Sequence, residues 1–243
     1  MSFSWDLARY NSVSMSTPAA QLAQQHWNET PLFLSESERY GIYPWLPRAA
    51  EFSEHRGERV LEIGCGTGCD LLQFARNGAH AVGVDITDQH LELARQRVIG
   101  EATVLKADGA NLPFSAESFD YIYSHGVIHH SDRPRAIVEE IFRVLKPEGR
   151  FNIQLYAAHS YNLWHCKRES PNDWRIRIEN SIAAVHIDFY SARAARDLVA
   201  SARQVRVRKR HCWASVRGHD ISWLSQRFGW LLGYYVIVTG KRP

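Results

Sequence analysis

The stretch VLEIGCGTGCD, residues 60–70, ends an apolar run in three glycines, Gly64, Gly66 and Gly68, with a carboxylate, Glu62, just ahead of them. A strand that ends in glycines and feeds a helix lets a ligand come close to the backbone, where free amides and the helix dipole meet it. The dinucleotide fingerprint GxGxxG would need a glycine at 69, where this chain has Cys69, so the spacing here is GxGxG. Glu62 would repel a pyrophosphate and attract an ammonium group. Asp85 ends the next apolar run, HAVGVD at 80–85, where a carboxylate can hold ribose hydroxyls. A third reactive stretch, SHGVIHHSD at 124–132, supplies His125, His129 and His130, imidazoles that titrate near neutral pH. Together these groups suggest a nucleoside bearing an amino acid, beside a side chain able to take a proton. Cys65 and Cys69 are close enough to be half of a metal site, but no second Cys or His pair of zinc-finger spacing accompanies them, and they read as small side chains at a crowded turn. No metal is expected.

Holding these groups in place requires strands and helices in alternation, and the chain has that rhythm from Arg59 onward. Apolar runs at 59–63, 80–85, 102–107, 119–124 and 150–156 read as strands. The helix expected at 69–76 carries Leu71, Phe74 and Ala75 on one face and ends at Asn77-Gly78, a left-handed cap. A second starts beside Thr87 and Asp88 and presents Leu91, Ala94 and Val98; another begins near Asp132 and Pro134, buries Ile137, Ile141 and Leu145, and stops at KPEG, 146–149. Such alternation predicts a parallel sheet covered on both faces. Residues 157–190 are too polar and aromatic for a simple crossover and read as a cap over a site. A helix at 191–202 leads to QVRVRKRH, 204–211, a half-exposed strand whose arginines discourage pairing at a sheet edge. A second insert, 212–230, precedes the apolar final strand YYVIVTGKR, 234–242. The first 55 residues, with Trp5, Trp27, Tyr40, Tyr43 and Trp45, read as a helical cover of the same domain.

The 243 residues suit one α/β domain with elaborations, and 45% apolar with 23% charged residues is the balance of a chain that buries a core. A net charge of +3 falls short of the cationic density that a dedicated nucleic-acid binder uses against phosphates. The N-terminus lacks the basic and then apolar pattern of a secretory signal, and the longest apolar run, 228–238, is too short to span a bilayer as a helix. Four scattered cysteines fit a reducing compartment. The expectation is a soluble, cytoplasmic protein without a membrane span, its self-association left open because an aromatic cover can close its own site or a neighbour's.

In four ordered stretches the sequence resembles the class I S-adenosylmethionine-dependent methyltransferases, in the small-molecule branch typified by ubiquinone and menaquinone biosynthetic methyltransferases. The stretches are VLEIGCGTG (60–68), VGVD (82–85), KADGANLPFSAESFDYIYSHGVIHH (106–130) and FRVLKPEGR (142–150). The resemblance implies a Rossmann-like α/β fold, its seven-stranded sheet mostly parallel with the last strand antiparallel. It implies S-adenosyl-L-methionine as cofactor, bound at the glycine turn with the methionine portion against Glu62, Gly64, Cys65, Gly66 and the backbone near Ser124, Gly68 completing the turn as a further cofactor-binding residue, and His125 close by. Asp85 would grip the ribose, Ile86 would lie against the adenine, and Asp108 and Gly109 would meet the adenine edge. It also implies that His130 is the general base, paired with a tyrosine from the N-terminal cover, for which Tyr40 and Tyr43 are candidates; the plainer reading is a histidine that packs and caps the next helix. His129 is the second candidate, with more weight on packing. Trp27, Tyr156, Tyr161, Trp164 and His165, with Trp174, offer aromatic walls for a flat acceptor.

Methyl transfer from a sulfonium is an in-line displacement, so the protein chiefly aligns the acceptor and excludes water. A nucleic-acid acceptor is disfavoured: SHGV stands where an Asn/Asp-Pro-Pro-aromatic segment would follow the fourth strand, and no Pro-Cys pair offers a nucleophile. An S-adenosylmethionine-binding scaffold without catalysis is the reading from another class, and the glycine spacing argues against a nicotinamide dehydrogenase.

Overall fold

A computed structural model describes residues 17–29, 35–179, 186–211, 215–216, 219–220 and 228–243. Three helices precede the sheet: α1 (Pro18–Glu29), α2 (Glu36–Ile42) and α3 (Leu46–Ala49). Ser35 starts α2 with a capping box, its hydroxyl accepting from the Glu38 amide while the Glu38 carboxylate accepts from the Ser35 amide. Trp5 lies outside the described residues.

The α/β body follows as β1 (Arg59–Ile63), α4 (Cys69–Arg76), β2 (His80–Asp85), α5 (Asp88–Arg97), β3 (Thr103–Lys106), β4 (Phe119–His125), α6 (Pro134–Val144) and β5 (Leu145–Tyr156). Then come α7 (Tyr161–Glu169), α8 (Trp174–Glu179), α9 (Ala192–Leu198), β6 (Arg203–Arg210), a short hairpin of β7 (Ser215–Val216) and β8 (His219–Asp220), α10 (Gly229–Leu232) and β9 (Tyr235–Lys241). The main sheet has the order β3-β2-β1-β4-β5-β9-β6; β9, last in the chain, inserts antiparallel between β5 and β6. This is the seven-stranded, mostly parallel sheet expected.

Alternation along each strand builds two cores. From β1 and β4, Leu61, Ile63 and Ile122 join Ile137, Ile141 and Leu198 on one face. On the other, Val60, Tyr121 and Tyr123 pack with Leu71, Phe74 and Leu91. Glu62 shares the face of Val60, and so projects toward α4 and the helical cover.

Three expectations need correction. Helix α6 ends at Val144, and β5 begins at Leu145, not at residue 150. Leu145 already pairs with Phe119, and the register then jumps to Tyr121 with Arg150, so KPEG is an irregularity within the strand. Its left-handed Glu148, φ 63°, is anchored by Arg203 at 2.7 Å and Lys241 at 2.9 Å. Helix α9 stops at Leu198, short of 202, and β3 is trimmed to 103–106. The insert at 157–190 contains α7 and α8, whereas most of 212–230 lies outside the described residues. No helix among the described residues is long and apolar enough to cross a membrane.

Candidate functional site

At the carboxyl ends of β1, β2 and β4, where open α/β sheets hold ligands, lies a cavity of about 810 Å³ roofed by α1 and α2. The glycine turn forms its floor. Gly64, φ 74°, runs so close to the loop after β4 that a Cβ would stand 2.2 Å from Val127. Gly68, φ 79°, begins α4 with its would-be Cβ 3.2 Å from Ala94. These two glycines are therefore required by protein packing, and Gly68 does not line the cavity. Gly66 has the direct role: its amide donates to Asp85 Oδ2 at 2.8 Å, and the Thr87 amide donates to Oδ1 at 2.9 Å. Asp85 is thereby fixed at the cavity wall beside Ile86.

Beneath the methionine end expected from the sequence sits a charge cluster. Asp70 accepts four hydrogen bonds, from Arg39 Nε (2.6 Å), Arg39 Nη2 (2.5 Å), Tyr40 (2.9 Å) and Tyr123 (3.0 Å). Burial pushes the Asp70 carboxyl up, but the Arg39 charge and hydrogen bonds outweigh it and hold it low. Glu62, 3% exposed, is pushed well up by burial and then by the neighbouring Asp70. Its Oε2 has no hydrogen-bond partner among the described residues. Two buried carboxylates thus share one guanidinium, and the orphaned oxygen fits an ammonium group supplied by a ligand.

Asp108 and Gly109 also reach the cavity. Asp108 accepts from the Ala110 amide at 2.9 Å and from Arg133 at 2.8 Å. Ser124 does not line it: its hydroxyl donates to the Ile63 carbonyl at 3.1 Å, tying β4 to β1.

The histidines take three different places. His125 lines the cavity and receives a hydrogen bond from Arg39 at 2.8 Å. An arginine only donates, so Nδ1 of His125 accepts and Nε2 carries the proton. His130 has the opposite tautomer: its Nδ1 donates to the His186 carbonyl at 3.1 Å, which leaves Nε2 as the unprotonated nitrogen. Burial pushes both imidazoles down, His125 to about 3 and His130 to about 4, so both are neutral at pH 7. His129 is fully buried outside the cavity wall, its ring 3.8 Å from that of Tyr156.

The tyrosine pairing expected for His130 is not formed. Tyr40 is turned away to Asp70 and the Cys69 carbonyl. Tyr43 lines the cavity but neighbours His125 at 5.6 Å and His211 at 4.9 Å. The rings against His130 include His129 at 4.3 Å, Trp27, 5.0 Å away edge-on, and Tyr156 at 5.6 Å. Of the expected acceptor walls, Trp27 and Tyr156 line the cavity, whereas Tyr161, Trp164 and His165 do not. Tyr161 stacks on His165 at 5.8 Å, and Trp164 is 54% exposed. Trp174 likewise lies outside the cavity, beside Phe189 at 5.7 Å. Sequence reasoning passed over Arg39, Asp70 and Tyr235. Asp70 comes two residues after the glycine turn, and Arg39 of α2 and its C-cap residue Tyr43 are four residues apart, a spacing that was readable. Among the described residues no cluster of ligands could hold a metal ion.

Residues 61–153 match a family model described as a methyltransferase domain. The chain is 33% identical over 214 residues to the Homo sapiens protein named "Probable tRNA methyltransferase 9B", covering 84% of this chain and 41% of that one. Demethylmenaquinone methyltransferase of Clavibacter sepedonicus is 38% identical over 99 residues, 40% of each chain. The chain therefore spans about two fifths of the length of these curated relatives. Among solved structures, geranyl diphosphate C-methyltransferase from Streptomyces coelicolor, in complex with S-adenosyl-L-homocysteine, superposes with a TM-score of 0.64 at 12% identity, covering 94% of this chain and 99% of that one. At that identity the likeness is one of fold.

Proposed function

The chain carries a class I S-adenosylmethionine-dependent methyltransferase domain, and on that premise we propose that it transfers a methyl group to a small-molecule acceptor, with His130 as the proton acceptor. The observation that carries this reading is one continuous cavity running from Asp85 and Asp108, past Glu62, to His125, His130 and Tyr156. When bound, S-adenosylmethionine supplies a methyl group activated by a sulfonium. Glu62 would hold its ammonium group, Asp85 its ribose hydroxyls and Asp108 the adenine edge. The roof of α1 and α2 keeps water from the reacting groups. His130, with Nε2 unprotonated, accepts a hydrogen bond from the acceptor's hydroxyl. A nitrogen that titrates at about 4 leaves an intact hydroxyl protonated. It does take the proton from an oxygen that has gained a methyl group and carries positive charge, so the base acts late.

A second reading, an RNA acceptor, draws support from the relative named for tRNA methylation, which matches 84% of this chain. The two separate in one experiment. Purified protein is offered methyl-labelled S-adenosylmethionine with either a metabolite extract or total RNA. Label entering the small-molecule fraction alone is expected; label entering RNA alone would reverse the order of the readings, and label entering neither would leave a binding scaffold.

A further inference from the structure

Charge is unevenly distributed around the cavity. The carboxylates Glu62, Asp85 and Asp108 stand at the ends of β1, β2 and β3, and Asp70 follows the glycine turn. The two lining arginines are both paired with carboxylates: Arg39 is bound to Asp70, and Arg133 to Asp108, while Arg39 also donates to His125 at the boundary of the two halves. Asp132 accepts from Thr17 at 3.2 Å and lies 3.9 Å from Arg133. Glu38, exposed at the rim, is engaged by the Ser35 cap.

The wall at the ends of β4, β5 and β9 is different. It presents His125, His130, Tyr156 and Tyr235, with Trp27 from α1 and Ile178 from α8. None of these carries a charge at neutral pH: burial keeps both imidazoles deprotonated, and it pushes the Tyr235 phenol up. The polar atoms are few and the rings are many, as in a pocket for a planar organic molecule. A carboxylate or phosphate moved into this half would lose its hydration and, among the described lining residues, meet no cation whose charge is not already offset, because Arg39 and Arg133 are paired with Asp70 and Asp108.

We infer that the acceptor half of the cavity takes an uncharged, planar, hydroxyl-bearing molecule and rejects one carrying a carboxylate or phosphate. This rests on the methyltransferase reading above and refines its substrate class. It also sets this chain apart from an enzyme that must seat an anionic acceptor.

The experiment uses the protein saturated with S-adenosylhomocysteine and titrates two probes in a calorimeter at pH 7.5. The probes are 1-naphthol and 1-hydroxy-2-naphthoate, which share a ring system and a hydroxyl and differ by an ionised carboxylate. The expected result is binding of 1-naphthol at least about tenfold tighter, the size that an unpaired buried charge produces. Ile178→Arg places a cation in the acceptor half and should narrow that ratio by about threefold or more, with the affinity for S-adenosylhomocysteine unchanged. Equal or tighter binding of the naphthoate by the native chain, binding of neither probe, or a ratio that Ile178→Arg leaves unmoved would overturn the inference while leaving the methyltransferase reading intact. Failure of S-adenosylhomocysteine itself to bind would instead remove that reading and this one with it.

Discussion

Glu62 and Asp70 lie in one buried cluster with Arg39, and burial pushes the Glu62 carboxyl up, toward its protonated form. A ligand ammonium that meets this carboxyl favours its ionised form, so binding of S-adenosylmethionine should release a proton. Calorimetry in buffers of different ionisation enthalpy is expected to show that release near neutral pH. The Glu62→Gln variant should lose it and bind the cofactor about tenfold or more weakly, as a charged hydrogen bond is worth roughly 1.5–3 kcal/mol. At His130 the prediction concerns rate. His130→Gln keeps a side chain of similar polarity but cannot take a proton, so turnover should fall by roughly 10²-fold or more with cofactor affinity unchanged. In the native enzyme the activity that depends on this group should persist on acidification until the pH nears about 4; a fall centred near 6.5 would show that burial does not set its titration.

Arg39 ties α2 both to α4, through Asp70, and to β4, through His125, beside the bonds that Tyr40 and Glu36 make to α4. Arg39→Ala would strand a carboxylate that is 1% exposed, and breaking a buried pair costs about 3–5 kcal/mol. Urea unfolding is expected to register that loss. A second consequence is local: the α2 roof should become accessible to proteolysis between Glu36 and Tyr43 before the sheet unfolds, and equal protection in the variant would mean that Arg39 is dispensable to the roof. At this scale the sequence was informative where a pattern is local. The periodicity of Leu71, Phe74 and Ala75 and the glycine at 78 define α4, and the alternation in VRVRK marks an edge strand. It was uninformative where the determinant is distant. The Arg39 to Asp70 pairing spans 31 residues, and no local motif announces it. Composition marked Tyr161, Trp164 and His165 as aromatic walls, but which face of α7 meets the cavity depends on how that helix packs, and these rings stack on one another outside it. KPEG read as a break between helix and strand because a bulge inside a strand uses the same turn residues.

Across the whole molecule, burial of imidazoles links stability to pH. His125, His130 and His211 titrate at about 3, 4 and 4, each below the ordinary 6.5, with burial as the first cause. At these rings the unfolded chain binds more protons than the folded one between about 6.5 and 4, and their contribution lowers stability as the pH falls through that window. Thermal unfolding followed from pH 8 to pH 4 is expected to show a midpoint that is steady above about 7 and declines below 6.5. A midpoint independent of pH there would mean that these rings protonate in the folded state. The order β3-β2-β1-β4-β5-β9-β6 brings the groups proposed for the cofactor and those proposed for the acceptor to one end of one sheet, so that the two halves of the cavity meet at β4. All of this depends on the identity of the donor molecule. The most direct measurement is a calorimetric titration of the purified protein with S-adenosylmethionine and, separately, with NAD, each repeated on Asp85→Ala. The account predicts saturable binding of S-adenosylmethionine, about 10- to 100-fold weaker in the variant, and no binding of NAD; saturable binding of NAD with none of S-adenosylmethionine would contradict it.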